Sequence, residues 1–262
     1  MHRCRLALSL AAFAAGALSL GSAAAQPETP TDGAWRGTAG AAFSATSGNS
    51  SSTVTALNAD MRRATESDRI TLGASATYAR SRSEGVERTS ADRWSGVGQY
   101  DFNLSSAVFA FGKLGLEADR LTGLQLRSTL GSGLGYKVLD SPAASFTVFG
   151  GVGHTRDRYR SPQSIDGVTA SRFSRSSVLL GEESAHRLAD NTRFKQRLEV
   201  YPGVSGDRAV LAKFTAGLET AVSRSLSLTT SLVADHNSKP PAGRKRNDVS
   251  LLAGLRVSFG AP

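Results

Sequence analysis

Lys113, Glu117 and Asp119 are separated by four and two positions, and Arg127 follows soon after. In an extended strand, residues two or four apart share a face, because successive side chains leave the pleated backbone on opposite sides. If the chain reverses about Thr122, Glu117 falls opposite Arg127 and Lys113 falls opposite Gly131. Facing opposite charges stabilise neighbouring strands by roughly 0.2–1 kcal/mol. The even face of the same strand (Val108, Ala110, Gly112, Leu114, Leu116, Ala118) is apolar throughout. The chemistry on offer is therefore electrostatic. Lys113, Glu117, Asp119 and Arg127 form a polar belt that either plugs a barrel interior or lines a narrow aqueous path.

Other residues offer less. A Ser-His-acid arrangement needs three groups in hydrogen-bond reach, and abundant serines make chance groupings of His154, His186 or His236 uninformative. The sequence has neither a Gly-x-Ser-x-Gly elbow nor a His-Glu-x-x-His motif. The expectation is a protein that is not an enzyme, with no catalytic residue, metal site or cofactor. An outer-membrane enzyme acting on lipid or peptide is the alternative. Gly131, Gly133 and Gly135 share one strand face, where a phosphate loop would need a following helix; the expectation is that they make room for bulky neighbours such as Phe109 and Phe111 or permit sharp barrel curvature. Arg244, Lys245 and Arg246 sit in a loop with Pro240, Pro241 and Gly243, as an outer-loop contact for anions or lipid phosphate. Arg156, Arg158 and Arg160 suggest a second such contact.

Elements that could hold these groups repeat with a period of two. Ile70, Leu72, Ala74, Ala76 and Tyr78 alternate with Arg69, Thr71, Ser75 and Thr77; Val249, Leu251, Ala253, Leu255, Val257 and Phe259 alternate with Ser250, Arg256 and Ser258. The alternation predicts 12 strands, near 34–46, 52–62, 69–80, 91–102, 107–119, 124–138, 145–157, 172–187, 192–201, 208–222, 225–236 and 248–259. The strand near 172–187 resists a face assignment, since Val178 and Leu180 disagree with Leu179. Most of the segments exceed the roughly 9–11 residues that a tilted strand needs to cross a bilayer. Even-numbered connections read short, and the three longest (81–90, 159–171, 237–247) are odd-numbered, the asymmetry of outer-membrane barrels. The predicted fold is all-β: a single antiparallel up-and-down transmembrane β-barrel. A soluble periplasmic binding barrel is the competing reading.

The first residues set the compartment. His2, Arg3 and Arg5 precede an apolar run from Leu6 to Leu20, and Ala23-Ala24-Ala25 precedes Gln26. This is the pattern of a cleaved secretory signal, with cleavage expected after Ala25, a short lead over 26–33 and a barrel over 34–262. Cys4, the one cysteine, falls in the signal, so the exported part carries no disulfide or thiolate site. The full chain has 31 basic and 22 acidic residues, for a net charge of +9. Export removes nucleic acid as the partner. Outer-membrane lipid and lipopolysaccharide remain, together with the barrel-assembly machinery acting through the last strand, Val249 to Phe259; the oligomeric state stays open. Phe259 suits that assembly role, although three residues follow it.

Several fragments resemble one family. They are Gly48-Asn49-Ser50, Ser67-Asp68-Arg69, Arg93-Trp94, Tyr100-Asp101-Phe102, Glu117-Ala118-Asp119-Arg120, Leu126-Arg127, the run from Gly131 to Tyr136, Asp235-His236-Asn237-Ser238 and Asp248. Their order and spacing are similar to those of the salt-induced outer-membrane proteins, domain-of-unknown-function family 481, across nearly the whole exported chain. The resemblance implies an outer-membrane barrel and assigns no catalytic residue. It also raises a link to osmotic or salt response.

Overall fold

The computed structural model describes residues 30–46, 50–83 and 86–260. The expected signal (1–25) and Gly48-Asn49 lie outside the described residues. Twelve strands follow in chain order: β1 (Trp35–Thr46), β2 (Ser50–Ala64), β3 (Asp68–Ser83), β4 (Val86–Asn103), β5 (Val108–Asp119), β6 (Leu124–Asp140), β7 (Ala144–Ile165), β8 (Val168–Ala189), β9 (Thr192–Pro202), β10 (Val210–Ala221), β11 (Leu226–Asn237) and β12 (Asn247–Gly260). Each pairs antiparallel with its neighbours in sequence, and β12 returns to β1 to close the barrel. Closure leaves no strand edge, the condition for placing a sheet where no water can satisfy backbone groups.

The alternation sorts the two faces. On the outside, Leu134 is 56 % and Leu251 73 % exposed, and Leu57, Leu72, Leu114, Leu130 and Leu255 are exposed with them. No described residue forms a second layer over these leucines. Trp35, Tyr100, Phe102, Tyr136 and Phe259 are exposed near the short-turn end, with Tyr78 and Trp94 further towards the other. Aromatic side chains placed this way are the girdles of a barrel in lipid. Polar and buried side chains turn inward. On β8, Leu179 is fully buried inside while Val178 and Leu180 face out, which resolves the phase that the sequence left ambiguous.

Three expectations change. First, the connections expected over 159–171 and 81–90 are largely strand. β7 and β8 each run 22 residues and turn at Asp166 (φ 52°) and Gly167 (φ 79°). Two consecutive positive φ values make the Asp-Gly turn whose twist matches a β-ribbon, so the chain stays paired beyond the expected strand ends. Of the three long connections, 238–246 remains a loop. Secondly, Leu124 does not share the outward face of Leu126 to Val138. The register slips between Leu124 and Leu126, which swings Leu124 inward against Tyr159 and Ile165, with Phe173 packed alongside. Thirdly, the short-turn end carries 65–67, 104–107, 141–143, 190–191 and 222–225, so the end asymmetry is one of ribbons as much as of loops.

Candidate functional site: a charged septum in the lumen

β5 aims Phe109, Phe111, Lys113 and Glu117 into the barrel, because a charge facing hydrocarbon costs about 2–4 kcal/mol near mid-bilayer. Lys113 Nζ donates to both carboxylate oxygens of Glu199, at 2.5 and 2.7 Å, across the lumen on β9. Glu199 also accepts from Arg197 at 2.6 Å and from the Tyr201 hydroxyl at 3.0 Å. Arg197 pairs in turn with Glu183 of β8 and donates to Gln99 of β4 at 3.5 Å. Gln99 donates to Asp101 at 2.7 Å, and Asp101 pairs with Arg69 of β3 at 2.8 Å. One connected chain of polar groups thus reaches from β8 to β3.

A second chain lies nearer the ribbon end. Lys213 of β10 pairs with Glu117 at 3.1 Å, Glu117 with Arg127 at 3.7 Å, and Arg127 with Asp157 at 2.7 Å. Asp157 meets Arg175 of β8 at 3.2 Å, and Arg175 meets Asp207 at 2.5 Å in the segment joining β9 to β10. Glu117 stands in register with Arg127 and Lys113 with Gly131, so the hairpin alignment places both pairs as the spacing requires.

An apolar wedge accompanies the charges. Phe109, Phe111, Leu179, Tyr201 and Leu211 form a buried cluster with Phe149 against it. Phe111 and Phe149 meet edge to face at 5.8 Å, and the Arg197 guanidinium lies 4.9 Å from the Phe149 ring centre. Gly135 is required here: a Cβ would overlap the Phe109 ring. Gly133 is required for another reason, since its Cβ would strike the backbone of Gly150 and Gly151 on β7.

Buried ion pairs are not strong sources of net stability, since desolvation offsets their attraction. Breaking one is another matter, because the partner stays buried and uncompensated. The septum is therefore a fixed element.

Cavities flank it. At the ribbon end, a space of about 390 Å³ is bounded by Glu117, Arg127, Lys213 and the loop 238–246. That loop lies over the mouth: Lys239 pairs with Asp166 at 2.5 Å, Ala242 N donates to Ser164 O at 3.3 Å, and Arg244 donates to Leu121 O at 2.5 Å. At the short-turn end are two spaces of about 370 and 320 Å³. Pro30 and Thr31 line the larger, held there as Gly33 N donates to Ala64 O at 2.9 Å.

The structure thus brings Lys113, Glu117 and Arg127 into the ion-paired septum, whereas Asp119 borders the ribbon-end cavity beside Glu117 and Arg127 without joining those pairs. Its carboxylate accepts from the Leu121 and Thr122 amides at 2.9 and 3.1 Å, capping the β5–β6 turn, because the register slip after Glu117 takes it out of the belt. Arg244, Lys245 and Arg246 border the cavity under the loop, since the loop folds inward over the mouth instead of away towards lipid. Arg156, Arg158, Arg160 and Arg172 face outward and are exposed. His154 Nδ1 lies 3.2 Å from Ser176 Oγ on the outer wall, His186 stacks on Phe194, and His236 contacts Asn247. Among the described residues, no three His, Asp or Glu side chains converge as metal ligands would. Sequence reasoning missed Arg69, Asp101, Asp157, Arg175, Glu183, Arg197, Glu199 and Asp207. For those on strands, the signal was the one that placed Lys113: a charged residue on the polar phase of a strand whose other phase is apolar.

Residues 39–259 match a family described as "Protein of unknown function, DUF481". No curated protein matches the sequence. Among solved structures, the COG4313 outer membrane channel from Pseudomonas putida F1 is similar at a TM-score of 0.50 and 12 % identity, covering 90 % of this chain and 97 % of that one. The NanC porin follows at 0.46 and 8 %, covering 87 % and 100 %. The translocator domain of the autotransporter NalP from Neisseria meningitidis stands at 0.45 and 13 %, covering 87 % and 86 %. At these identities the first likeness concerns the fold alone.

Proposed function

The chain belongs to this family, and from that footing we propose that it is an outer-membrane β-barrel serving as a narrow pore for small polar solutes, constricted at mid-lumen by its own ion pairs. Its short turns face the periplasm and its ribbons face outward, the usual orientation of bacterial barrels. The carrying observation is the pair Lys113–Glu199 at 2.5 Å, which ties β5 to β9 across the lumen. The exposed leucines argue against a soluble periplasmic barrel.

Planar-bilayer recording tests the proposal. Wild type passes a low unitary current, which Glu117→Gln, Arg127→Gln and Glu199→Gln raise. No current from wild type or from any variant that keeps heat-modifiable gel mobility would reduce the barrel to a structural role.

The pair His154–Ser176 is the observation favouring an enzyme, but it lies on the outward face opposite Leu130. We therefore hold the chain to be no enzyme; phospholipid cleavage abolished by His154→Ala reverses that. Lipopolysaccharide is a partner on this reading, met by Arg156, Arg158, Arg160 and Arg172. Val249 to Phe259 meet the assembly machinery. A role in osmotic response predicts slower growth of a deletion strain at high salt, and unchanged growth removes it.

A further inference from the structure

We infer that the cavity of about 320 Å³ at the short-turn end, between β1–β2 and β9–β12, is a binding site for a small multivalent oxyanion carrying carboxylate or phosphate groups. Its volume falls within the range of small-molecule sites. Six cations line it, Arg62, Arg193, Lys195 and Arg256 among them, against three carboxylates, Asp60, Asp190 and Glu219. Arg36 at the rim is neutralised by Asp32 at 2.7 Å, and the excess remains positive.

The carboxylates are shared thinly. Glu219 serves both Lys195 at 3.5 Å and Arg256 at 3.4 Å, while Asp60 reaches Arg256 at 4.0 Å. Neither Arg193 nor Arg224 makes an ion pair with a described residue. Arg62 is only 8 % exposed, so part of this positive field is held away from bulk solvent and its screening. Guanidinium groups present flat forks that match carboxylate and phosphate oxygens two at a time.

The neighbouring cavity of about 370 Å³ provides an internal contrast. There Arg69, Lys113, Lys137 and Arg197 are matched by Asp68, Asp140, Glu183 and Glu199. Equal counts leave no charge for a ligand to neutralise. Two cavities at one end of one barrel thus differ in the quantity that would select an anion, and of these two only one has the excess.

Calorimetric titration of the full-length protein in zwitterionic micelles at low salt, with citrate as probe and glucose as control, tests the inference. Citrate binds saturably, glucose does not, and affinity falls as salt is raised. The double substitution Arg193→Gln with Arg224→Gln weakens citrate at least tenfold, whereas Lys137→Gln in the balanced cavity leaves it unchanged. Heat-modifiable mobility shows that each variant is folded. Absence of saturable citrate binding by folded wild type, or equal affinity in the double variant, overturns the inference. The geometry rests on the barrel reading above, but binding in micelles needs no conduction. Citrate binding without current keeps the site and removes the pore; current without citrate binding does the reverse.

Discussion

The two sides of the lumen are built differently. The wall from β5 to β10 carries the aromatic wedge and both ends of the ion pairs that bridge it, with Glu199 and Asp157 almost wholly buried. Across from it, β11, β12 and β1 present Ser227, Thr229, Ser231, Ser250, Gly254, Thr38 and Gly40 on the inner phase, and the pairs that Arg256 of β12 makes to Glu219 and Asp60 are longer, at 3.4 and 4.0 Å. The contrast teaches that this barrel is plugged by side chains of its own wall, packed from one side. The other side carries small groups on much of its inner phase, with Val233, Asp235, Leu252 and Arg256 among them, and is the side along which the proposed pore would run.

The largest effect that tests this asymmetry is Glu199→Gln. It strands Lys113 and Arg197 without their shared carboxylate and should cost about 3–5 kcal/mol in denaturant unfolding. Arg256→Gln, at a guanidinium of β12 that is 22 % exposed, should cost clearly less. Equal losses would erase the distinction between the two sides.

Next comes Leu179→Ala. Removing this fully buried side chain from the wedge should cost about 2–5 kcal/mol, while Ser231→Ala on the thin side should stay within about 0.5 kcal/mol. Asp119→Ala follows, at about 0.5–1.5 kcal/mol for the lost bonds to the turn amides. It should leave the unitary current unchanged, since Asp119 belongs to a turn and not to the septum. Lys239→Ala is the smallest in stability, within about 1 kcal/mol for an exposed pair. It should nevertheless speed tryptic cleavage at Arg244, Lys245 and Arg246 by freeing the loop.

Much of the fold was legible in the sequence because lipid makes the alternation strict. Leu72, Leu114, Leu134 and Leu255 had to share an outward phase, and twelve such stretches locate all the strands. The ambiguity at Leu179 had a physical origin. An apolar residue inside a plugged barrel satisfies the wedge, so hydrophobicity alone does not report lipid. Leu124 failed for a related reason: a register slip, which leaves no mark in the pattern, moved it across the sheet. The ribbon beyond Arg158 is written in Asp166-Gly167, a hairpin turn between Ile165 and Val168, but Ser161, Pro162, Gln163 and Ser164 before it break the apolar alternation that marks the other strands.

The candidate site was half legible. Glu117 and Arg127 sit on adjacent strands, where hairpin arithmetic brings them into register. Glu199 lies 86 positions from Lys113, and no local spacing predicts that β5 and β9, four strands apart in a closed barrel, will meet across its interior. Arg175 and Asp207 required the bend between β9 and β10, including Gly206 with its positive φ of 76°.

Everything depends on the outward phase touching lipid while the inward phase touches protein and water. With Cys4 absent or replaced, single Leu134→Cys, Leu255→Cys and Thr155→Cys variants can carry a fluorophore in liposomes containing brominated lipid. Strong quenching at positions 134 and 255, with little at position 155, is the predicted result. Unquenched labels at 134 and 255 that react freely with water-soluble maleimide would contradict it.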